Sequence, residues 1–136
     1  ALYAARHPEV ERVILMAPAF NFYDRWMEML QPEELERWRR EGELPVFHYG
    51  EKRQMDIGYQ LLEDARKYES FPTFNQPGLI FHGVDDPVVP IAYSQKFAME
   101  HDNVRLIQLK SGHELTDVLG TVWRESERFL VESLPK

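Results

Sequence analysis

The chain has 136 residues, 43% of them hydrophobic and 29% charged, a composition typical of one globular domain rather than a disordered or fibrous protein. At this length the chain can bury enough surface to fold without disulfides, which the lack of cysteine excludes. The formal net charge of −7 predicts no nucleic-acid partner, and no apolar run approaches the roughly 20 residues that a membrane span needs.

The chain opens on helix-forming residues that Pro8 brings to an end, and its first residue is alanine rather than methionine. We therefore expect the sequence to begin inside a structural element and to be a fragment of a longer protein, so that a targeting signal cannot be judged from it. The lack of cysteine is compatible with a reducing compartment, and we take the cytoplasm as the expected location.

Three short apolar runs predict strands of a parallel sheet, at residues 13–17, 79–81 and 104–109. Pro90 starts a helix between the second and third runs, which makes a right-handed crossover unit. A last helix over about 116–133 should cover one face. The first run is the most uniformly apolar, so we expect a further strand beside it that this sequence does not contain, unless another chain or a loop covers it.

The segment 21–75 interrupts this alternation and holds most of the tryptophan, tyrosine and methionine residues. It is interpreted as an insertion within one domain spanning 1–136, with helices over 33–41 and 56–69. Residues 44–50 fit neither a helix nor a strand pattern. The predicted class is α/β, with a helical cap inserted into a parallel sheet.

Chemistry-bearing side chains follow two of the predicted strands. Asp85 and Asp86 come after the second strand and His113 after the third. Because ligands bind outside the carboxyl ends of parallel strands, the crossover unit delivers a carboxylate and an imidazole to neighbouring strand ends. A carboxylate that orients an imidazole, which in turn deprotonates a hydroxyl, is the supporting part of a nucleophilic triad.

The pattern H-G-x-x-D-x-x-V-P at residues 82–90, followed by Gly112-His113, resembles the C-terminal half of an α/β-hydrolase, in which the triad runs Ser, Asp, His along the chain. The S-G-H-E-L-T-D stretch after the third strand and the A-P-A-F stretch at the start of the insertion are most similar to small bacterial YqiA/YcfP-type esterases. The resemblance implies Asp86 as the acid, His113 as the base and no cofactor or metal. It also implies a missing N-terminal half of the same fold.

No G-x-S-x-G motif occurs in the 136 residues, so the nucleophile and the upstream oxyanion donors are expected outside them. The predicted activity is hydrolysis of a carboxylic ester or thioester through an acyl-enzyme, and this chain alone should be silent. The small-molecule substrate is predicted to contact four residues at and after the first strand, Phe20, Phe22, Trp26 and Met27. These residues could instead form the core of a small cap.

Simpler interpretations stay open. Asp86 could only cap the following helix, and His113 could be a turn residue beside a capping box of Ser111 and Glu114. His82 is predicted to brace its loop rather than react. The fold could serve binding without catalysis. Finally, Asp85 and Asp86 could hold a divalent cation in a receiver-like domain, an interpretation that leaves His113 without a role.

Overall fold

The computed structural model describes residues 1–48 and 50–131, which form two compact units. The first unit comprises Ala1–Phe20 and the chain from Phe71 onward, and the second comprises Asn21–Ser70. Within the described residues no helix is long and apolar enough to cross a membrane. The elements in chain order are α1 Leu2–Arg6, β1 Val13–Met16, α2 Phe22–Met29, α3 Pro32–Glu41, β2 Glu43–His48, β3 Arg53–Gly58, α4 Gln60–Ala65, β4 Gly78–Gly83, α5 Ile91–Glu100, β5 Val104–Leu109 and α6 Leu119–Val131.

The sheet of the first unit has the order β1-β4-β5 and is parallel throughout. This confirms the predicted strands, their order and the crossover through α5. All six residues of β4 are buried, as expected for a central strand, whereas β1 lies at an edge of the described sheet. Met16 of β1 is 62% exposed. The strand expected on the far side of β1 is not among the described residues, and its pairing with β1 stays a prediction.

Alternate residues of β4 supply the two cores of this unit. Ile80 packs on one face of the sheet with Phe97 of α5, and Leu79 and Phe81 pack on the other face with α6. The last helix begins at Leu119, after a 3₁₀ turn over Thr116–Val118, and its predicted end at residue 133 lies outside the described residues. Of its large apolar side chains, Val122 and Phe129 are buried against the sheet, but Leu119, Trp123 and Leu130 are exposed.

The second unit contains a hairpin as well as three helices. Helix α3 ends at Gly42, whose φ of +83° is readily adopted only by glycine, as the sequence predicts. The unassigned stretch is mostly strand β2, which pairs antiparallel with β3. The helix predicted over 56–69 is wrong in its first part, because residues up to Gly58 belong to β3 and α4 spans only Gln60–Ala65.

The core of this unit explains that correction. Trp38 of α3 is buried against Leu44 and Leu62, and its indole nitrogen donates to the carbonyl of Ile57 at 2.9 Å. Ile57 lies opposite Leu44 in the hairpin. Apolar residues at 57, 61 and 62 fit a helical period, but the cross-strand partner and the Trp38 hydrogen bond favour an extended backbone at Ile57.

Phe97→Ala is expected to destabilise the protein by about 3–5 kcal/mol, because it leaves a cavity in a well-packed core. The Phe97 ring is fully buried and stacks on Phe20 at 4.4 Å between centroids. Urea denaturation measures the loss in free energy of unfolding. The matched control is Met99→Ala on the same helix, at a side chain 84% exposed, which should cost under about 0.5 kcal/mol. Equal losses would contradict this account of the core.

Candidate active site

Asp86 lies in the loop between β4 and α5, and its side chain is fully buried. Its Oδ1 accepts hydrogen bonds from the amides of Val88 at 2.8 Å and Val89 at 2.9 Å. Helix α5 has Pro90 at its N-cap without a side-chain cap. Asp86 therefore closes its own loop rather than capping the first turn of α5, and its second oxygen remains available to other donors.

His113 lies in the loop after β5, and its Nδ1 is 2.8 Å from Oδ2 of Asp86. Because an ionised carboxylate only accepts hydrogen bonds, this contact assigns the proton to Nδ1. The ring is 34% exposed, and in the described part of the chain its Nε2 has no hydrogen-bond partner. The acid and base candidates are thus in contact, with one nitrogen of the imidazole open to a further group.

The two loops meet because β4 and β5 are parallel and in register, with Gly83 opposite Leu109. Past the strands, the Val84 amide donates to the Leu109 carbonyl at 2.8 Å and the Asp85 amide donates to the Ser111 carbonyl at 3.1 Å. A Cβ on Gly83 would collide with the backbone carbonyl of Ser111. The glycine of the H-G pair therefore permits the close approach of the His113 loop.

The loop of His113 is closed by a different contact from the predicted one. Ser111 is buried, and its hydroxyl donates to a carboxylate oxygen of Asp117 in the 3₁₀ turn. A capping box with Glu114 is not formed, because the Ser111 hydroxyl is directed to Asp117. Leu115, which lies between Ser111 and Asp117 in the chain, is buried and has a φ of +55°, in the left-handed region.

Two opposing influences act on the carboxyl group of Asp86. Burial is the largest and acts to raise its pKa. Hydrogen bonds from the Val89 amide, His113 and the Val88 amide, together with the charge of His113, favour the ionised form. Their combined effect holds the pKa of Asp86 below its ordinary value, so the group is a carboxylate at neutral pH, the state needed to orient an imidazole.

His82 is the second imidazole beside Asp86, and it is completely buried. Its Nδ1 is 2.7 Å from the hydroxyl of Ser94, and its Nε2 is 3.0 Å from the carbonyl of Val89. The same Nε2 is 3.2 Å from Oδ2 of Asp86. These contacts agree with the predicted bracing role. The sequence gives no signal that Ser94 is a polar partner, because it lies on the inward face of α5 among apolar residues.

The predicted substrate-contact residues lie in different surroundings. Phe20 is buried in the first unit and stacks on Phe97. In the second unit, Phe22 and Trp26 are half-buried with ring centroids 6.1 Å apart, and Met27 is exposed. Their contact with substrate stays a prediction, and the surroundings of Phe20 are those of a core residue.

Gly83→Ala is expected to separate the two loops, because the added methyl group has no space against the carbonyls of Ser111 and Gly112. We expect a loss of about 1–3 kcal/mol in the free energy of unfolding and a changed NMR signal for the His113 ring. Gly112→Ala is the matched control, since a Cβ there meets nothing within 4 Å. The packing argument fails if the two variants behave alike.

Asp86→Asn is expected to cost stability in a pH-dependent way. The lowered pKa of Asp86 means that its ionised form stabilises the fold fully above an unfolded-state pKa of about 3.9, and that this contribution disappears as the pH falls through the folded-state pKa. Denaturation from pH 7 to pH 2.5 should show a difference of about 1–3 kcal/mol that shrinks at acidic pH. Asp85→Asn, at the exposed neighbour, is the control. A difference independent of pH would refute this assignment.

Comparison with solved structures identifies the fold. The α/β-hydrolase domain-containing protein 10 from mouse matches with a TM-score of 0.79 and 19% identity, over 95% of this chain and 56% of that one. Est1E from Butyrivibrio proteoclasticus, with ferulic acid bound, matches with a TM-score of 0.76 and 20% identity, over 96% of this chain and 53% of that one. The chain thus spans about half the length of these proteins and shares their fold.

No curated protein matches the sequence. The model of the uncharacterised protein family UPF0227 matches residues 3–128, which is nearly the whole chain. Together with the structural matches, this confirms the resemblance predicted from the H-G-x-x-D-x-x-V-P and Gly-His motifs. The chain therefore belongs to the UPF0227 family and has part of an α/β-hydrolase fold.

Proposed function

We propose that the chain carries the acid and the base of a serine hydrolase acting on carboxylic esters or thioesters. The observation that supports this most directly is the 2.8 Å contact between His113 Nδ1 and the buried carboxylate of Asp86, with Nε2 of the imidazole open. In this proposal the nucleophilic serine and the oxyanion donors come from residues outside the 136 of this sequence.

The geometry suits a division of tasks between the two residues. Nε2 of His113 would take the proton from the serine hydroxyl as its oxygen attacks the acyl carbon. Asp86, ionised at neutral pH, would hold the Nδ1–H tautomer and stabilise the imidazolium. The proton on Nε2 would then pass to the leaving alcohol or thiol. Water, deprotonated by the same Nε2, would then attack the acyl carbon. The bond from the acyl carbon to the serine oxygen would break, the acid would leave, and the proton on Nε2 would return to the serine oxygen.

The alternative with a divalent cation has less support. Both oxygens of Asp86 already have partners: Oδ1 accepts from the amides of Val88 and Val89, and Oδ2 accepts from His113 and lies 3.2 Å from Nε2 of His82. In the described ranges no group of three histidine or acidic side chains could hold a metal ion. A binding protein without catalysis remains the competing proposal, and a nucleophile test separates the two.

The nature of the acyl group is a further part of the proposal. Est1E holds ferulic acid, an aromatic carboxylic acid, in the matched structure. We propose that the esters tested as substrates should include those of aromatic acids as well as those of short aliphatic acids. We further propose that residues 21–75 act as a cap insertion, with Phe22, Trp26 and Met27 among the residues that contact the acyl group.

His113→Ala is expected to abolish hydrolysis without unfolding the protein. The assay uses the full-length natural protein that contains these 136 residues. In it we expect the turnover of p-nitrophenyl esters to fall on the order of 10⁴-fold or more, since the general base is lost. Labelling by a fluorophosphonate, which reports an activated serine, should be lost as well. Circular dichroism checks that the fold is retained.

His7→Ala is the matched control, since His7 is also partly exposed but lies at the end of α1 and contacts Glu9 and Tyr3. It should leave both readouts unchanged. Hydrolysis that survives His113→Ala would reject His113 as the base. A parent protein with neither hydrolysis nor labelling would favour the binding alternative.

A further inference from the structure

His82 is a fully buried imidazole with a partner at each ring nitrogen, and the proposed reaction does not use it. It lies on the central strand β4, and its contacts join this strand to α5 and to the loop between the two. They are Ser94 on α5, the carbonyl of Val89 in the loop, and Oδ2 of Asp86. A buried polar side chain with this many partners holds its surroundings in one arrangement.

The partners of His82 determine where its proton lies. The carbonyl of Val89 and the carboxylate of Asp86 can only accept hydrogen bonds, so Nε2 must carry a hydrogen. In the neutral ring Nδ1 is then an acceptor, and the hydroxyl of Ser94 donates to it at 2.7 Å. Ser94 therefore favours the tautomer whose Nε2–H donates to the Val89 carbonyl and lies beside Oδ2 of Asp86.

The carboxylate of Asp86 is consequently held by three hydrogen bonds and by one close contact with His82. Its Oδ1 accepts from the amides of Val88 and Val89, and its Oδ2 lies 2.8 Å from Nδ1 of His113 and 3.2 Å from Nε2 of His82. Among the described residues, Asp86 is the titratable side chain in contact with His82, and the two imidazoles are those in contact with Asp86. Without His82, only the exposed ring of His113 would hold Oδ2.

We propose that His82 is a positioning residue for the acid, kept in its Nε2–H tautomer by Ser94 so that Oδ2 of Asp86 stays directed at His113. Its effect on turnover rests on the proposed function, whereas its effect on the hydrogen bond between Asp86 and His113 does not. A mere packing role for His82 would require only a ring of the right size.

The first test is the tautomer of His82. Long-range ¹H–¹⁵N NMR of the protein at pH 8 should show hydrogen on Nε2 and a lone pair on Nδ1. A ring with hydrogen on Nδ1 would overturn the proposal, since that tautomer would turn the lone pair of Nε2 toward the Val89 carbonyl and the Asp86 carboxylate. This measurement needs no catalytic activity and no variant.

The second test compares His82→Leu with His82→Gln. Leucine keeps an apolar side chain of similar size without a donor, whereas the terminal amide of glutamine can donate from near the place of Nε2. In His82→Leu we expect the downfield Nδ1–H signal of His113 to broaden by faster exchange with water, and kcat to fall on the order of tenfold with KM unchanged. His82→Gln should restore most of both.

A His82→Leu protein that keeps the Nδ1–H signal and a kcat within twofold of the parent would overturn the proposal, as would a glutamine variant no better than leucine. If His82→Leu does not fold, His82→Gln is compared with Ser94→Ala instead. The Nδ1–H signal of His113 should be weakened in Ser94→Ala and retained in His82→Gln. Two results count against the proposed function rather than against the role of His82. One is a parent protein that shows no hydrolysis although the Nδ1–H signal of His113 is intact, and the other is hydrolysis that survives His113→Ala.

Discussion

The hydrogen bond between Asp86 and His113 depends on one constraint, the parallel pairing of β4 with β5. Parallel strands end at the same edge, so residues three positions beyond Gly83 and four beyond Leu109 can meet. An antiparallel pair would carry them to opposite edges. The full burial of β4 and the cover of α5 and α6 keep these strand ends in place, so the packing of the sheet is also the support of the candidate site.

The parts of this site that the sequence predicts are those with strong local signals. The apolar runs, the helix that starts after Pro90 and the spacing of Asp86 and His113 each use one short stretch of chain, and the structure brings the two side chains together. Their catalytic roles remain predictions. The partner of Ser111 could not be predicted in the same way, because Glu114 and Asp117 are both within reach along the sequence and only the folded loop shows that the hydroxyl donates to Asp117.

The second unit was harder to predict, for a physical reason. Strands β2 and β3 are stabilised by each other and by Trp38, which precedes both of them in the chain. Pro45 interrupts the pattern of β2, and the apolar residues around Ile57 fit two periods. Local propensity is therefore ambiguous until the cross-strand contacts form, and no window of the sequence contains those contacts. The burial of Phe20 likewise depends on Phe97, a distant residue.

The acid and the base are supported in different ways, and the difference suits the proposed chemistry. The side chain of Asp86 is fully buried, accepts three hydrogen bonds and lies 3.2 Å from His82, so its position and ionised state are set before any substrate arrives. The His113 ring has one hydrogen bond within the described residues, to Asp86, and a third of its side chain is exposed. A general base must reach both a hydroxyl and a leaving group, whereas the carboxylate that orients it need only stay fixed. The polar contacts of this site are accordingly concentrated on the acid, and His82 belongs to that group through its 3.2 Å contact with Asp86.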